Sequence, residues 1–367
     1  MYFKGIKLQN FRNYELEQVD FHPRVNIITG NNAQGKTNLL EALYMMSLAK
    51  SFRTSKDSEM IGFGKAFGRI KAESYKDERS VEVEIILEEG QKTVKIDGLK
   101  TNKISDILEN NYIVIFSPED LGIIKGEPEK RRKFINRELC QIKPVYYSNL
   151  SRYKKILQQR NYLLKQDCID PDVLSVWNQE FADTGSRIIR ERTGFIAKLD
   201  RISKDIHHRI TDGKENLSIL YESNVPLKET LAEQTEEFLR KLQKNAQQDL
   251  FRKTSTVGPH KDDLNIAIDG IDIRSFGSQG QQRTAALSLK LAEIEIIKEE
   301  TGEIPILLLD DVLSELDFSR QRFLISALRE AQLFITTTEI SDYVKNTLSD
   351  NYIFTVKGGK ISREQPI

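Results

Sequence analysis

The sequence predicts an α/β fold, a mixed sheet with an antiparallel part, into which a mainly helical segment is inserted. A short β-branched run, Val25–Thr29, leads directly into a glycine-rich loop. Two continuous apolar runs near the end of the chain, Ile304–Leu309 and Leu333–Thr337, are typical of parallel strands that are covered on both faces. The middle of the chain, residues 128–250, has mainly helical spacing and is rich in charge.

The order of these segments predicts two lobes, because a chain of 367 residues is longer than one compact core usually holds. We expect residues 1–117 and 250–367 to form a discontinuous α/β lobe, and residues 118–249 to form the helical insertion. Strand-like segments at Arg69–Ala72 and Val81–Leu87, separated and followed by turn residues, predict an antiparallel region in the first lobe.

The composition excludes several classes of protein. Hydrophobic residues make up 39% of the chain, charged residues 30%, and the formal net charge is zero, so the whole-protein charge predicts no polyanion partner. No apolar run approaches the roughly 20 residues of a membrane span, and the sequence does not start with an apolar secretory segment. Cys140 and Cys168 form neither a disulfide framework nor a metal-ligand spacing. We therefore expect a cytoplasmic protein with no membrane partner.

The segment from Gly30 to Thr37 matches the phosphate-binding pattern G-x-x-x-x-G-K-[ST] at every fixed position. Its glycines let the backbone wrap a phosphate, and the N–H groups at the start of the following helix donate to it. The Lys36 ammonium suits the β- and γ-phosphates, and the Thr37 hydroxyl suits Mg²⁺. A chance match is expected in about one in a hundred such chains, and the flanking strand and helix disfavour it. We predict an ATP site formed by Gly30, Asn31, Asn32, Ala33, Gln34, Gly35, Lys36 and Thr37.

A second part of this site is expected where the run Ile304–Leu309 ends in two acids. A phosphate loop needs a neighbouring strand that ends in a carboxylate, which holds Mg²⁺ directly or through water. Asp310 is placed to serve the metal with Thr37. Asp311, one residue further, points differently and is placed to orient or deprotonate the attacking water, so we assign catalysis to Lys36 and Asp311. The alternative is a solvated turn with two acids, or an Asp317 that merely caps the next helix.

A third segment, Ser278-Gln279-Gly280-Gln281, is similar to the Ser-Gly-Gly-Gln core of the signature of ABC-type ATPases. The order of segments supports the likeness, since Ser314–Asp317 after the acidic strand resembles the D-loop of that group. Thr336–Thr338 stands where the group usually places a switch histidine. The resemblance implies an ABC-type ATPase head and an ATP-sandwiched head-to-tail homodimer, in which the signature of one subunit faces the phosphate loop of the other. It implies that ATP is bound in trans by Ser278, Gly280 and Gln281.

The start of the helical segment is basic. Between Lys125 and Lys165 twelve Lys and Arg residues stand against three acids, and tyrosines are interleaved with them. Such a local excess of positive charge attracts a phosphate backbone, and the attraction weakens as the salt concentration rises. The segment has no motif that reads a base sequence. The alternative is a solvated face paired with acids such as Glu180, Asp183 and Glu191; Asp200, Asp205 and His207–His208 are interpreted as solvated helix. The candidate DNA contacts are Lys130, Arg131, Arg132, Lys133, Arg152, Lys154 and Lys155.

Several longer segments resemble the RecF family, bacterial ATPases of gap repair and recombination, over essentially the whole chain. The likeness is carried by Ile6–Tyr14, Ser51–Thr54, Pro118–Asn136, Gly258–Asp263 and Leu307–Leu324. Within Pro118–Asn136 two positions depart from the family pattern: Glu127 stands where a small residue or Asp is usual, and Asn136 where Asp is usual.

The resemblance implies a protein of DNA replication and repair that dimerises with ATP and Mg²⁺ and binds double-stranded DNA, including gapped or single-strand/double-strand junction DNA. It implies a weak, DNA-stimulated ATPase that cooperates with RecR and RecO in loading recombinase at gaps. The alternatives are an SMC-like structural ATPase and a scaffold that binds ATP without significant hydrolysis. The basic insertion disfavours the nucleotide subunit of an ABC transporter, and the lack of a separate acidic cluster disfavours a nuclease.

Overall fold

The computed structural model describes residues 1–76, 78–101, 105–108, 110–328, 330–340 and 342–364. They divide into two compact units. The first unit comprises Met1–Asp120 and Glu293–Ile367, and the second comprises Leu121–Ala292. None of the helices in the described ranges combines the length and the apolar character that crossing a membrane requires.

The first unit contains two six-stranded sheets, and the second contains one three-stranded sheet. The strands are β1 (Tyr2–Phe11), β2 (Tyr14–Asp20), β3 (Val25–Thr29), β4 (Phe67–Lys76), β5 (Arg79–Glu88), β6 (Gln91–Ile96), β7 (Leu99–Thr101), β8 (Ile113–Phe116), β9 (Leu217–Glu222), β10 (Asp263–Ile268), β11 (Ile271–Asp272), β12 (Ile306–Asp310), β13 (Leu333–Thr337), β14 (Asn351–Lys357) and β15 (Lys360–Arg363).

Helices lie in both units, and one of them, α10, contains the boundary between Ala292 and Glu293. The helices are α1 (Lys36–Leu48), α2 (Ser105–Leu108), α3 (Leu121–Lys125), α4 (Pro128–Ile142), α5 (Pro144–Leu163), α6 (Pro171–Ile210), α7 (Leu231–Lys244), α8 (Ala246–Arg252), α9 (Ile273–Phe276), α10 (Gln279–Thr301), α11 (Phe318–Ala327) and α12 (Asp342–Thr347).

The antiparallel region expected in the first lobe forms a sheet with the strand order β2-β1-β4-β5-β6-β7. Each of its strands pairs antiparallel with its neighbours. Alternating burial along β4, where Ile70 and Ala72 are buried, matches the alternation of apolar and polar residues in the sequence.

The other sheet of the first unit has the order β15-β14-β3-β13-β12-β8. Strands β14, β3, β13, β12 and β8 are parallel, and β15 is an antiparallel edge strand. Both apolar runs noted in the sequence are central strands whose residues are almost all buried. Since the carboxyl ends of parallel strands meet at one edge, the ends of β3 and β12 lie at the same edge, with β13 between them.

The second unit extends further along the chain than the sequence predicted. The α/β lobe was expected to resume at residue 250, whereas the first unit resumes at Glu293. The reason is strand pairing: β10 pairs antiparallel with β9, with Leu264 opposite Tyr221, so β10 and β11, the first strands after Phe251, complete a sheet of the second unit. Local sequence predicts that a segment is a strand, but it does not reveal which strand is its partner.

The second unit is built around the 40-residue helix α6. Pro171 occupies its first turn, and the Asp170 side chain caps it by accepting from Asp172 N and Val173 N. Apolar residues of α6 at helical spacing, including Phe181, Ile188 and Phe195, are buried in the unit.

Candidate nucleotide site

The phosphate loop lies between the end of β3 at Thr29 and the start of α1 at Lys36. Gly30 has φ 142° and Gly35 has φ 123°, conformations that L side chains rarely adopt. A Cβ on Gly30 would collide with the Val356 carbonyl oxygen, and a Cβ on Gly35 would lie 2.7 Å from Asn13 Nδ2. Both glycines are therefore required by backbone conformation and by close neighbours.

The turns of two hairpins in the first unit form hydrogen bonds with the phosphate loop. The β1–β2 turn contributes Asn13 Nδ2, which donates to Gln34 O at 2.7 Å, and the Tyr14 hydroxyl, which donates to Gly35 O at 2.8 Å. The β14–β15 turn contributes Gly358 N, which donates to Gln34 Oε1 at 2.7 Å. The motif alone gave no signal for these supports, because they lie far away in the chain.

The Lys36 side chain turns back beneath the loop. Its ammonium donates to Gly30 O and, at 3.2 Å, to Asn31 O, and the residue is only 8% exposed. Burial lowers the pKa of Lys36, and the carboxylates of Asp311 and Asp310 oppose that shift. Both predicted acids therefore act electrostatically on the Lys36 ammonium, whose hydrogen bonds go to the loop carbonyl oxygens of Gly30 and Asn31.

Asp310 ends β12 next to the start of α1. Its Oδ1 accepts from Thr37 Oγ1 at 2.9 Å and from Thr336 Oγ1 at 2.8 Å. Burial raises the pKa of Asp310, and these two hydroxyl donors oppose the rise. The structure thus brings together the two residues that the sequence assigned to the metal.

Thr336 is a site residue that sequence reasoning noted only as part of the run Thr336–Thr338, which stands where the group usually places a switch histidine. It lies opposite Asp310 in the β12–β13 ladder and is 1% exposed. Its hydroxyl donates to Asp310 and accepts from the Asp311 backbone N–H at 3.0 Å. One side chain therefore fixes both acids, and pairing of adjacent parallel strands was the signal that could have found it.

Asp311 leaves the strand in a left-handed conformation, with φ 54°. Its carbonyl oxygen accepts from Ser314 Oγ at 2.6 Å, and its Oδ1 lies 3.2 Å from the same hydroxyl. Left-handed backbone is unfavourable for most L residues but is tolerated by aspartate. This conformation directs Asp311 differently from Asp310, as the sequence argument expected.

The side chains present fit Mg²⁺. Thr37 and Asp310 offer hard oxygen ligands, and Mg²⁺ typically takes one or two carboxylates, phosphate oxygens and water. Within the described part of the chain no group of three or more His, Cys, Asp or Glu side chains is placed to hold a metal. The site suits an ion that arrives with a nucleotide rather than one caged by protein alone.

Replacing Thr336 by valine is expected to raise the Mg²⁺ concentration needed for nucleotide binding by about tenfold, since loss of a group that orients a metal ligand typically costs ~10–100-fold in metal affinity. Valine keeps the shape but removes the hydroxyl, and with it the bonds to Asp310 Oδ1 and to the Asp311 backbone N–H. Titrating Mg²⁺ against a fluorescent ATP analogue measures the shift. Thr337→Val is the matched control, because the Thr337 hydroxyl donates to Glu339 O instead. Equal Mg²⁺ requirements in the two variants would refute the role of Thr336.

The signature segment begins helix α10 in the second unit. Ser278 Oγ accepts from Gln281 N at 3.2 Å, and Gln281 Oε1 accepts from Ser278 N at 2.9 Å, which is a reciprocal capping box. Ser278 and Gly280 are exposed. In this arrangement the Ser278 hydroxyl accepts from the helix and retains its own proton for an external acceptor.

A family model described as the RecF/RecN/SMC N terminal domain matches residues 2–360. A DNA replication and repair protein RecF from Clostridium tetani is 44% identical over 98% of this chain and 99% of the relative. The chain belongs to the RecF family. A relative of the same name from Lactococcus lactis is 45% identical and covers 100% of both chains.

Solved structures confirm the ABC-type ATPase head fold of this RecF-family chain. A structure described as the recombination mediator protein RecF-ATP in the RecFOR pathway matches with a TM-score of 0.93 at 37% identity, covering 99% of this chain and 98% of the other. An SMC head bound to the winged-helix domain of ScpA matches with a TM-score of 0.56 at 17% identity, which shows the fold alone.

The structure corrects the assignment of Arg131 as a DNA contact in this RecF-family chain. Arg131 is 2% exposed, and its guanidinium pairs with both carboxylate oxygens of Asp263, at 2.6 Å and 2.8 Å. It also donates to Gly126 O at 2.8 Å. A buried, bidentate arginine holds the unit together and is not available to a phosphate backbone.

The other candidate DNA contacts differ in exposure and in the partners they have within the unit. Arg132 is half-buried and donates to Asp262 O at 2.8 Å, and Arg152 forms an ion pair with Glu180. For these two the solvated-face alternative explains the charge at least in part. Four candidates are exposed lysines, Lys130, Lys133, Lys154 and Lys155, of which Lys133 forms an ion pair with Glu129 at 2.7 Å.

The segment Gly258–Asp263, noted for its family resemblance, is explained by the same contacts. Asp262 is 1% exposed and accepts from Arg192 Nη1 and from Asn224 N, both at 2.8 Å, and from the Tyr221 hydroxyl. Burial raises the pKa of Asp262, and Arg192 opposes the rise. The two acids of this segment thus anchor α4, α6 and β9 rather than the nucleotide.

Replacing Arg131 by alanine is expected to lower the free energy of unfolding by about 3 kcal/mol, because it leaves Asp263 without its buried partner. Urea denaturation measures the loss. Lys133→Ala is the control, since the Lys133 side chain is 71% exposed and its removal should cost less than ~0.5 kcal/mol. Equal stabilities of the two variants would contradict the structural role of Arg131.

One further assignment was wrong in part. Asp205 and His208 are exposed as expected, but His207 is 0% exposed and Asp200 is half-buried, where it accepts from Ile219 N at 2.6 Å. His207 continues the buried face of α6, four residues after buried Ser203. The exposed charged residues nearby, Asp205 and Arg209, gave this segment the character of a solvated helix.

Proposed function

We propose that this chain is an ATP-dependent DNA-binding protein of recombinational gap repair. ATP binding closes a head-to-tail homodimer on double-stranded DNA, and slow hydrolysis releases it. The observation that carries the proposal is the Thr37–Asp310 contact between the phosphate loop and the acidic strand. The structure of RecF with ATP, 37% identical to this chain, supports the choice of nucleotide.

In the nucleotide-binding step, the loop N–H groups and the start of α1 donate to the phosphates. Lys36, which contacts the carbonyl oxygens of Gly30 and Asn31, exchanges those acceptors for the β- and γ-phosphate oxygens. Phosphate oxygens are the stronger acceptors because they carry charge. The lysine therefore gains interaction energy only when a nucleotide is bound.

For hydrolysis, Thr37 and Asp310 would hold Mg²⁺, which when bound neutralises charge on the β- and γ-phosphates. Asp310 stays oriented because Thr336 donates to it. Asp311 orients the attacking water and accepts its proton, and the Asp311 backbone is fixed by Thr336 and Ser314.

The second half of the site is supplied in trans. The Ser278 hydroxyl donates a hydrogen bond to the γ-phosphate held by a second copy of the chain. The first turn of α10, which contains Gly280 and Gln281, adds the positive end of the helix dipole. Each site is complete only in the dimer, so hydrolysis is slow and coupled to association. C2 symmetry gives two identical sites.

The DNA partner is double-stranded, including gapped or single-strand/double-strand junction DNA, and the exposed lysines offer sequence-independent backbone contacts through Lys130, Lys133, Lys154 and Lys155. The protein acts in the cytoplasm with RecR and the RecO pathway to load recombinase at gaps. The relatives named as DNA replication and repair proteins support this role.

The proposal is tested by sedimentation velocity of the purified chain without nucleotide, with ATP and Mg²⁺, and with added duplex or gapped DNA. We expect a monomer without nucleotide, a dimer with ATP, and a larger dimer fraction with DNA. Raising the salt concentration should reduce the extra dimer fraction that DNA produces, but not the dimer fraction formed with ATP alone. A monomer under all three conditions would overturn the proposal.

A further inference from the structure

The start of helix α10 is tied into the second unit by a chain of hydrogen bonds that no step above uses. Gln281 Nε2 donates to Glu215 Oε1 at 3.1 Å. Glu215 Oε2 bonds His207 Nε2 at 3.0 Å, and His207 Nδ1 bonds Ser288 Oγ at 3.1 Å. Both ends of this chain, Gln281 and Ser288, lie on α10.

The spacing of the two ends makes this an anchor across two helical turns. Gln281 and Ser288 are seven residues apart, so they lie on one face of α10. His207 comes from the last turn of α6, and Glu215 comes from the segment that leads from α6 to β9. The His207–Glu215 pair therefore connects the long helix of the second unit to the first turns of the signature helix.

Donor and acceptor chemistry explains why position 215 holds a carboxylate. Both neighbours of Glu215 offer hydrogens, the amide of Gln281 to one oxygen and the ring nitrogen of His207 to the other. A glutamine of the same shape has only one oxygen, so it would satisfy one neighbour and face the other with a second donor.

His207 is buried and Glu215 is partly exposed, while Ser278 and Gly280 of the signature segment are exposed. The side chain of His207 is 0% exposed and that of Glu215 is 23% exposed. Gln281 joins the two environments, because its amide nitrogen reaches Glu215 and its amide oxygen accepts from Ser278 N. Both ends of the Gln281 side chain are therefore engaged within its own subunit.

We propose that His207 and Glu215 are positioning residues for the signature segment. They fix Gln281, and Gln281 in turn fixes the backbone and hydroxyl of Ser278 for the phosphate of the partner subunit. The side chain of Gln281 then acts as a support for Ser278 rather than as a nucleotide contact. This inference rests on the composite site proposed above.

The test compares Glu215→Gln with Glu236→Gln, which makes the same chemical change at an exposed position of α7. In the nucleotide-free chain, hydrogen exchange at residues 278–283 should become about tenfold faster in Glu215→Gln only, as expected for the loss of one hydrogen bond. ATP binding should match the control, while ATP-dependent dimerisation weakens about tenfold or more. His207→Gln, which keeps a donor for Glu215, should retain slow exchange.

The outcomes separate this inference from the composite site itself. Exchange and dimerisation of Glu215→Gln equal to those of Glu236→Gln would overturn the positioning role. Failure of the unaltered chain to dimerise with ATP would overturn the composite site. Slow exchange in His207→Gln together with fast exchange in Glu215→Gln would support Glu215 as the acceptor that joins residue 207 to Gln281.

Discussion

Asp311→Asn is expected to bind ATP and dimerise normally but to hydrolyse ATP at least about 100-fold more slowly, since general-base catalysis typically contributes ~10²–10⁴. Asparagine keeps the size of the side chain and tolerates the left-handed backbone at φ 54°. It also keeps the backbone N–H bond to Thr336. What it loses is the capacity to accept a proton from water.

Steady-state hydrolysis and fluorescent-nucleotide binding, measured on the same preparation, check this expectation. Asp20→Asn is the control, because Asp20 is an exposed acid at the end of β2 in the same unit. Unchanged hydrolysis by Asp311→Asn with ATP still bound would show that the catalytic assignment is wrong. Absence of hydrolysis by the unaltered chain would favour a scaffold that holds ATP without turning it over.

Lys36→Met is expected to weaken ATP binding by about 100-fold or more and to abolish ATP-dependent dimers. Methionine fills a similar volume, but it removes a charge that is 8% exposed and lies directly beneath the phosphate loop. Hydrogen bonds to charged groups are each worth roughly 1.5–3 kcal/mol, and Lys36 is placed to serve two phosphates.

Equilibrium binding of a fluorescent ATP analogue measures the first effect, and light scattering measures the second. Lys56→Met is the control for loss of a positive charge, since the Lys56 side chain is 74% exposed. Dimers that form equally well with Lys36→Met and ATP would remove Lys36 from the nucleotide site.

Sequence reasoning located the phosphate loop and its acids because both are local patterns whose chemistry fixes residue types within a few positions. Their supports were not visible in the same way. Asn13 and Tyr14 reach the loop from another hairpin, and Thr336 reaches Asp310 across a strand pair. Such contacts depend on tertiary structure, which no window of sequence contains.

In the basic segment, sequence reasoning overestimated the positive charge at the surface, because it counted every Lys and Arg as exposed. Arg131 lies on the same helical face as Phe134 and Glu138, all of them buried, so its charge was counted as surface although it is internal. Helical spacing could have placed Arg131 among apolar neighbours. It could not have identified Asp263 as its partner, 132 residues away.

The central claim is that one subunit completes the ATP site of another through Ser278. The most direct test is sedimentation velocity of Ser278→Arg with saturating ATP and Mg²⁺, beside Ser148→Arg, which adds the same side chain at an exposed position of α5. We expect both variants to bind ATP, Ser148→Arg to form dimers, and Ser278→Arg to remain monomeric because the bulky cation intrudes on the phosphate. A normal ATP-dependent dimer of Ser278→Arg would contradict the claim.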